Sequence, residues 1–273
     1  TIDAAGSKLV KLDSSFLAKL AEVARDKRTA YLTVGHGERN ESGQTDLPVH
    51  SRVKGLEAIL RAQNYQVKPL GLAEGLGADL PKDADLVLAV GPQFPFRKEE
   101  EDALARYVDR GGRLMLFVEP DAGATPGIAR PARREGAPLG KLLERYGAEL
   151  VAAVQANDRI YGRRTQTRAD YALLASNRYQ SHPSVASLRR NTSQFPLLFL
   201  GTGAFTKLPA AETPAGSQSG NAGGKSDGKP AGNMIAHETI KGMPGTWSDA
   251  DSNFSFDEKR AQRGEPILAV ALS

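Results

Sequence analysis

The stretch from Asp85 to Asp121, DLVLAVGPQFPFRKEEEDALARYVDRGGRLMLFVEPD, limits the possible folds more than any other part of the chain. Leu86, Val87, Leu88, Ala89 and Val90 form an unbroken apolar run stopped by Gly91-Pro92. That is the pattern of a strand buried on both faces of a parallel sheet. From Lys98 to Arg110, Leu104, Tyr107 and Val108 recur at helical spacing among charged residues, and Gly111-Gly112 closes the segment. An amphipathic helix with a glycine stop is predicted. A second apolar run, Leu114 to Val118, ends in Glu119-Pro120-Asp121. Two parallel strands joined by a helix require a right-handed crossover, which places this unit inside an open α/β sheet.

The flanking segments extend the same pattern. Residues 14 to 27 carry Ser14 or Ser15 as an N-cap and Phe16, Leu17, Leu20 and Val23 on one face, predicting an opening helix. Thr29 to Val34 reads as the first strand, His50 to Gln63 as a helix with Val53, Leu56, Ile59 and Leu60 inward, and Tyr65 to Leu70 as the second strand. Pro138 opens a further helix that Gly147 stops. Glu149 to Val154 reads as the next strand, Tyr171 to Tyr179 as strand or helix, and Phe195 to Leu200 and Ile267 to Leu272 as later strands. Ala122 to Ala137 is a loop rich in Gly, Pro and Arg. Pro209 to Gly232 is a Gly, Ser, Ala and Lys tract too poor in apolar residues to order itself.

The expected fold is α/β and three-layered, with a largely parallel sheet of about five or six strands, helices on both faces and an irregular C-terminal part. Residues 1–27 form a helical lead-in and 28–155 the α/β core. Residues 156–273 complete the same domain, with a disordered loop near 209–232.

Several function classes are excluded or disfavoured. The net charge of +4 is small and the basic residues are interleaved with acids. The densest basic places, Arg163, Arg164 and Arg168 with Arg189-Arg190, lack the aromatic interleaving of single-strand binders, so they read as a solvated face and no nucleic-acid partner is expected. The chain has no cysteine, which removes disulfides, thiolate zinc sites and any cysteine nucleophile. The histidines, His36, His50, His182 and His237, are scattered, and no metal centre is expected. No GxxxxGK[ST] phosphate loop is present, and Gly201-Thr202-Gly203 lacks the remainder of a dinucleotide fingerprint, so neither an ATPase nor a bound cofactor is expected. Ser176, Ser181 and Ser184 near His182 lie in no nucleophile elbow. No segment approaches the roughly 20 apolar residues of a membrane span, and no signal peptide is present. The chain begins at Thr1 and ends directly on a strand-like run, so it reads as a soluble fragment of a longer protein.

The candidate binding cleft follows from topology. Gly35-His36-Gly37-Glu38 lies at the carboxyl end of the first strand, where open α/β sheets collect ligands. Gly91 and Pro92, and Glu119 and Asp121, end two further strands and complete the candidate set of Gly35, His36, Gly37, Glu38, Gly91, Pro92, Glu119 and Asp121. His36 and Glu38 have the residue types of a general base and its orienter. The preferred reading is structural: Gly35 and Gly37 allow a tight turn while His36 and Glu38 hydrogen-bond neighbouring loops. A cluster of Glu38, Glu119 and Asp121 would suit a divalent cation or paired acid–base work on a glycoside. Acids at strand ends are more often caps and solvent contacts, so no catalytic residue is assigned.

At Tyr31-Leu32-Thr33-Val34-Gly35-His36-Gly37-Glu38 the chain resembles the GldG-type auxiliary proteins of ABC transport systems. Further blocks agree in order: Leu80 to Pro92, Tyr107 to Pro120, Pro138 to Leu150, and Thr246-Trp247-Ser248-Asp249 before Pro266 to Ala271. The resemblance thus covers nearly the whole chain, and the Pro209 to Gly232 tract departs from it as an insertion. It implies a fold similar to class I glutamine amidotransferases, flavodoxin-like in layout, and to a domain of an intraflagellar-transport protein. Also implied is an extracytoplasmic domain on the periplasmic face of the inner membrane, held by membrane segments outside this chain beside ABC permease and ATPase subunits, with a name linked to gliding motility. Amidotransferase chemistry needs a cysteine nucleophile on a sharp turn. The comparable turn is Val90-Gly91-Pro92-Gln93, and no cysteine exists to fill it.

The expected function is therefore a non-catalytic binding or scaffold domain that contacts sister subunits, an envelope polymer or a small-molecule ligand. One alternative is a hydrolase acting on an envelope carbohydrate or amide through the His36 and Glu38 edge. Another is a dimerisation module that forms a homo-oligomer.

Overall fold

A computed structural model describes residues 16, 20, 26–40, 53–120, 137–151, 153–159, 161–163, 165–208, 235–251 and 253–272. The chain divides into two compact units, one of Thr1–Gln93 with Arg97–Phe117 and one of Phe94–Phe96 with Val118–Ser273. Among the described residues no helix is long and apolar enough to cross a membrane. The tract near 209–232, most of the loop at 122–137 and most of the helix predicted at 14–27 lie outside the described residues. Phe16 and Leu20 of that helix are helical, and both are exposed.

The first unit is a parallel sheet of four strands in the order β2-β1-β3-β4. These are β1 (Arg28–Thr33), β2 (Tyr65–Leu70), β3 (Leu86–Val90) and β4 (Leu114–Phe117). Helix α1 (Lys54–Ala62) joins β1 to β2, and α2 (Lys98–Asp109) joins β3 to β4. Those two connections run in opposite directions across the sheet, so right-handed crossovers put α1 and α2 on opposite faces. Ala30 and Leu32 of β1 with Leu88 and Val90 of β3 form one core with Val53 and Leu60 at the α1 face. The alternate residues Tyr31, Thr33, Val87 and Ala89 are also buried, as a sheet covered on both sides requires. Ile59, predicted inward, is 63% exposed. It lies about 100° around the helix from Leu60, off the stripe that Val53, Leu56 and Leu60 share.

The second unit corrects the expectation of a sheet that stays parallel over five or six strands. The run expected as one strand from Glu149 to Val154 is two: β5 (Ala148–Val151) and β6 (Val154–Ala156), and they join different sheets. β5 pairs antiparallel with β10 (Ala204–Lys207). β6 pairs antiparallel with β12 (Trp247–Asp249), setting Trp247 opposite Ala156. Helix α3 (Gly140–Arg145) precedes β5 and buries Leu142 and Leu143.

The segment from Tyr171 to Tyr179, left open between strand and helix, ends a 3₁₀ turn at Arg168–Ala172 and continues as β7 (Leu173–Ser176) and β8 (Arg178–Tyr179). A short helix α4 (Ala186–Arg190) leads to β9 (Leu197–Leu200), which pairs with β7. With β11 (Ala236–Lys241) and β13 (Ile267–Leu272), the main sheet runs β5-β10-β13-β11-β8, with antiparallel pairing throughout the described residues. Two cores of this unit are seen among the described residues. One is built around Trp247 with Val154, Ala156, Ala172 and Phe254. The other joins Leu174, Tyr179, Val185, Ile240 and Leu268.

Candidate functional site

The sheet order β2-β1-β3-β4 makes the carboxyl ends of β1 and β3 a topological switch point, where the chain leaves the sheet in opposite directions. Two glycine turns meet there. Gly35 and Gly37 have φ of 109° and 71°, and Gly91 has φ of 60°, backbone conformations that a side chain disfavours. They let the chain fold back so that Arg39 N–H donates to Val90 O at 3.0 Å and Gln93 N–H donates to His36 O at 2.7 Å. Gly91 also makes room: a Cβ there would stand 2.9 Å from Nε of Arg39. Pro92 is buried beside it.

His36 is 7% exposed and lies between two buried carboxylates, Glu38 at 0% and Glu100 at 2%. Its Nε2 is 2.9 Å from Oε2 of Glu100. Its Nδ1 is 3.5 Å from Oε1 of Glu38, while Oε2 of Glu38 accepts the His36 backbone N–H at 2.7 Å. The same Glu100 oxygen accepts the Arg97 backbone N–H at 2.7 Å, closing the first turn of α2. Burial works against a charged imidazole, but the hydrogen bonds and charges of Glu38 and Glu100 outweigh it, so His36 titrates above its ordinary value. Burial alone pulls the Arg39 guanidinium below its ordinary value. The result is an ionic clamp that ties the β1 turn to the start of α2. It buries the imidazole that a general base would have to present to substrate.

The structure therefore brings together Gly35, His36, Gly37, Glu38, Gly91 and Pro92 of the sequence-predicted cleft, within the first unit. Glu119 follows β4 in the second unit and is partly buried. Asp121 lies outside the described residues. The carboxylate at His36 that sequence reading did not single out is Glu100, and its signal was present. Glu100 lies four residues before Leu104, so it continues the inward stripe of α2 by one turn into the capping position. The clamp thus marks an α/β unit whose switch point carries a buried, mutually paired imidazole and two carboxylates.

Comparison with known proteins then assigns the lineage. Residues 27–222 match the ABC_transp_aux family model, described as an ABC-type uncharacterized transport system. That is well over half of the chain, and the chain belongs to this family, in agreement with the resemblance to GldG-type auxiliary proteins. It is thereby an auxiliary component of an ABC transport system. No curated protein matches. Among solved structures, the mmIFT52 N-terminal domain is similar over 78% of this chain and 72% of that chain, at 13% identity and a TM-score of 0.45. That likeness is too distant to carry an argument about function.

Proposed function

We propose that this chain is the non-catalytic, extracytoplasmic binding or scaffold domain of its transport system's auxiliary protein. In this reading, membrane segments outside the chain hold it at the periplasmic face of the inner membrane beside the permease and ATPase subunits. It serves an envelope process of the gliding-motility kind, and an envelope polymer or small molecule is its further ligand. The observation that carries the non-catalytic part is the burial of His36 between Glu38 and Glu100. A hydrolase would present that imidazole to solvent and substrate. The absence of a phosphate loop from the sequence leaves ATP hydrolysis to a partner subunit.

A dimerisation module is the second reading. It draws on Met115 and Phe117, which are 47% and 39% exposed on edge strand β4. They share the sheet face of Leu88 and Val90, their register partners.

Affinity co-purification of the full-length protein from native membranes tests the preferred reading. Recovery of an ABC ATPase and permease is expected; their absence from repeated preparations overturns it. Substituting His36 and Glu38 by alanine would not map the interface, because both are buried and the variant would report folding. Sedimentation of the purified chain at micromolar concentration tests the dimer, and a monomer at all concentrations removes that reading.

A further inference from the structure

The second unit carries a cleft of about 400 Å³ lined by Arg163, Gln166, Thr167, Arg168, Asp170 and Tyr171. Its volume is in the lower range of small-ligand sites. We propose that this cleft binds a small ligand through an oxyanion, a phosphate or carboxylate group, held between the guanidinium groups of Arg163 and Arg168. The inference goes beyond the transporter reading and does not depend on it, since it concerns other residues in the other unit.

The hydrogen bonding of the loop decides the sign of the ligand. Asp170 is 3% exposed, and its carboxylate is turned into the chain. Oδ1 accepts from the backbone N–H and the hydroxyl of Thr165 at 2.8 and 2.9 Å, and Oδ2 accepts from Gln166 N–H at 3.0 Å. Because the Thr165 hydroxyl gives its proton to Asp170, its 2.7 Å contact with the Thr167 hydroxyl has Thr167 as donor. The Thr167 proton therefore goes to the Thr165 oxygen and the Thr165 proton to the carboxylate, so neither is left for a ligand. The charged groups left to meet a ligand are the two guanidinium groups, donors only, beside the Gln166 side-chain amide, which can donate or accept. Neither arginine has an ion pair or hydrogen bond among the described residues. Two forked cations beside a carboxylate already occupied by its own loop suit an oxyanion.

The loop is also held in a shape it would not adopt for packing alone. Gln166 has φ of 57° without being glycine, which costs on the order of 1 kcal/mol and persists only where surrounding contacts impose it. Asp170 supplies those contacts. Tyr171 forms a wall of fixed orientation, its ring edge-on to Trp247 at 6.2 Å. Trp247 is buried in the core beneath it.

Trp247 is the chain's single tryptophan, so its fluorescence reports on the cleft through Tyr171. The test titrates the whole chain with inorganic phosphate, glucose 6-phosphate and glucuronate, with glucose as the neutral control. Vesicles of phosphatidylglycerol and of phosphatidylcholine run in parallel. Expected is a saturable response to one or more charged probes that weakens with added salt. Affinity should fall at least about tenfold in the variant Arg163→Gln/Arg168→Gln, the loss of about one charge-assisted bond. Both arginines are exposed, and an unchanged urea midpoint confirms that the variant is folded. Response to phosphatidylglycerol vesicles alone identifies the oxyanion as a lipid headgroup. No response to any charged probe at millimolar concentration, an equal response to glucose, or an affinity unchanged in the double variant overturns the proposal.

Discussion

Replacing Glu100 by glutamine is the sharpest test of the ionic clamp, because it removes a charge while leaving an acceptor in place. In the wild type, one Glu100 oxygen accepts from Arg97 N–H at 2.7 Å and lies 2.9 Å from His36 Nε2. A glutamine carbonyl can accept both bonds, so the change lowers a charge-assisted bond of about 1.5–3 kcal/mol to a neutral one of about 0.5–1.5 kcal/mol. The expected destabilisation is about 1–2 kcal/mol for Glu100→Gln. Glu100→Ala also removes the acceptor and strands a buried imidazole N–H, so about 3–5 kcal/mol is expected there.

The pH dependence has a definite sign. His36 is raised above its ordinary value of 6.5 in the folded chain, so the clamp contributes fully below about pH 6.5 and its contribution is lost as pH rises through the folded value. One proton gives a slope of at most about 1.4 kcal/mol per pH unit. Urea unfolding of both proteins from pH 6 to 9, with the imidazole resonances of the four histidines followed by NMR, measures both effects. The gap between wild type and Glu100→Gln is expected to be widest near pH 6 and to narrow above the wild-type His36 pKa. A His36 that titrates below 6.5, or a stability that climbs with pH through this window on account of His36, refutes the reasoning.

Other substitutions probe single elements. Gly91→Ala places a Cβ 2.9 Å from the Arg39 Nε at φ of 60°, and a loss of about 1–3 kcal/mol in urea unfolding is expected. Gly55→Ala in α1 is its control: a Cβ there meets nothing within 4 Å, and a gain of about 0.5–1 kcal/mol is expected from helix propensity. Leu88→Ala empties a fully buried position of the first core, and calorimetry should show a loss of about 2–5 kcal/mol. The Asp249 carboxyl is pushed up by burial, partly opposed by the Phe254 N–H, with Asp251 adding to the rise. Its contribution is thus present only at acid pH and lost as pH rises through the folded value. Asp249→Asn keeps an acceptor for Phe254 N–H, and a gain of up to about 1 kcal/mol at pH 7 is expected from chemical denaturation.

Which parts of the chain were legible in sequence follows from how locally each part is determined. The run Leu86–Val90 and the helix starting at Lys98 were readable because burial on both sheet faces and an amphipathic stripe are patterns within a dozen residues. Tyr65–Leu70 appears at the predicted bounds for the same reason. The second unit was not readable in this way. Its strands are two to six residues long, and their pairing is fixed by distant partners: β6 at Val154 finds Asp249 of β12, and β7 at Ser176 finds Leu197 of β9. No window of sequence contains both halves of such a pair. The apolar run at 149–154 looked like one strand because its break, between Val151 and Val154, has no glycine or proline to mark it. Glu100 was hidden differently. In Lys98-Glu99-Glu100-Glu101 every residue looks like solvated charge, and only its spacing from Leu104 separates Glu100 from its neighbours.

The paired switch point bears on where this domain can bind. Two carboxylates and an imidazole cost several kcal/mol each to bury alone, and they are tolerable only when mutually paired. Once built, such a clamp resists change, because removing either carboxylate takes away one of the two acids that face the buried imidazole. A ligand entering the crevice would have to displace those pairs and reproduce their bonds, which a small molecule achieves only by supplying an equivalent set of charges. Binding at an exposed cation carries no such penalty. Arg163 and Arg168 are solvated and unengaged among the described residues, so a ligand there replaces water alone. On physical grounds, then, a ligand that met the exposed arginines of the second unit would face a smaller desolvation cost than one that had to part His36 from Glu38 and Glu100.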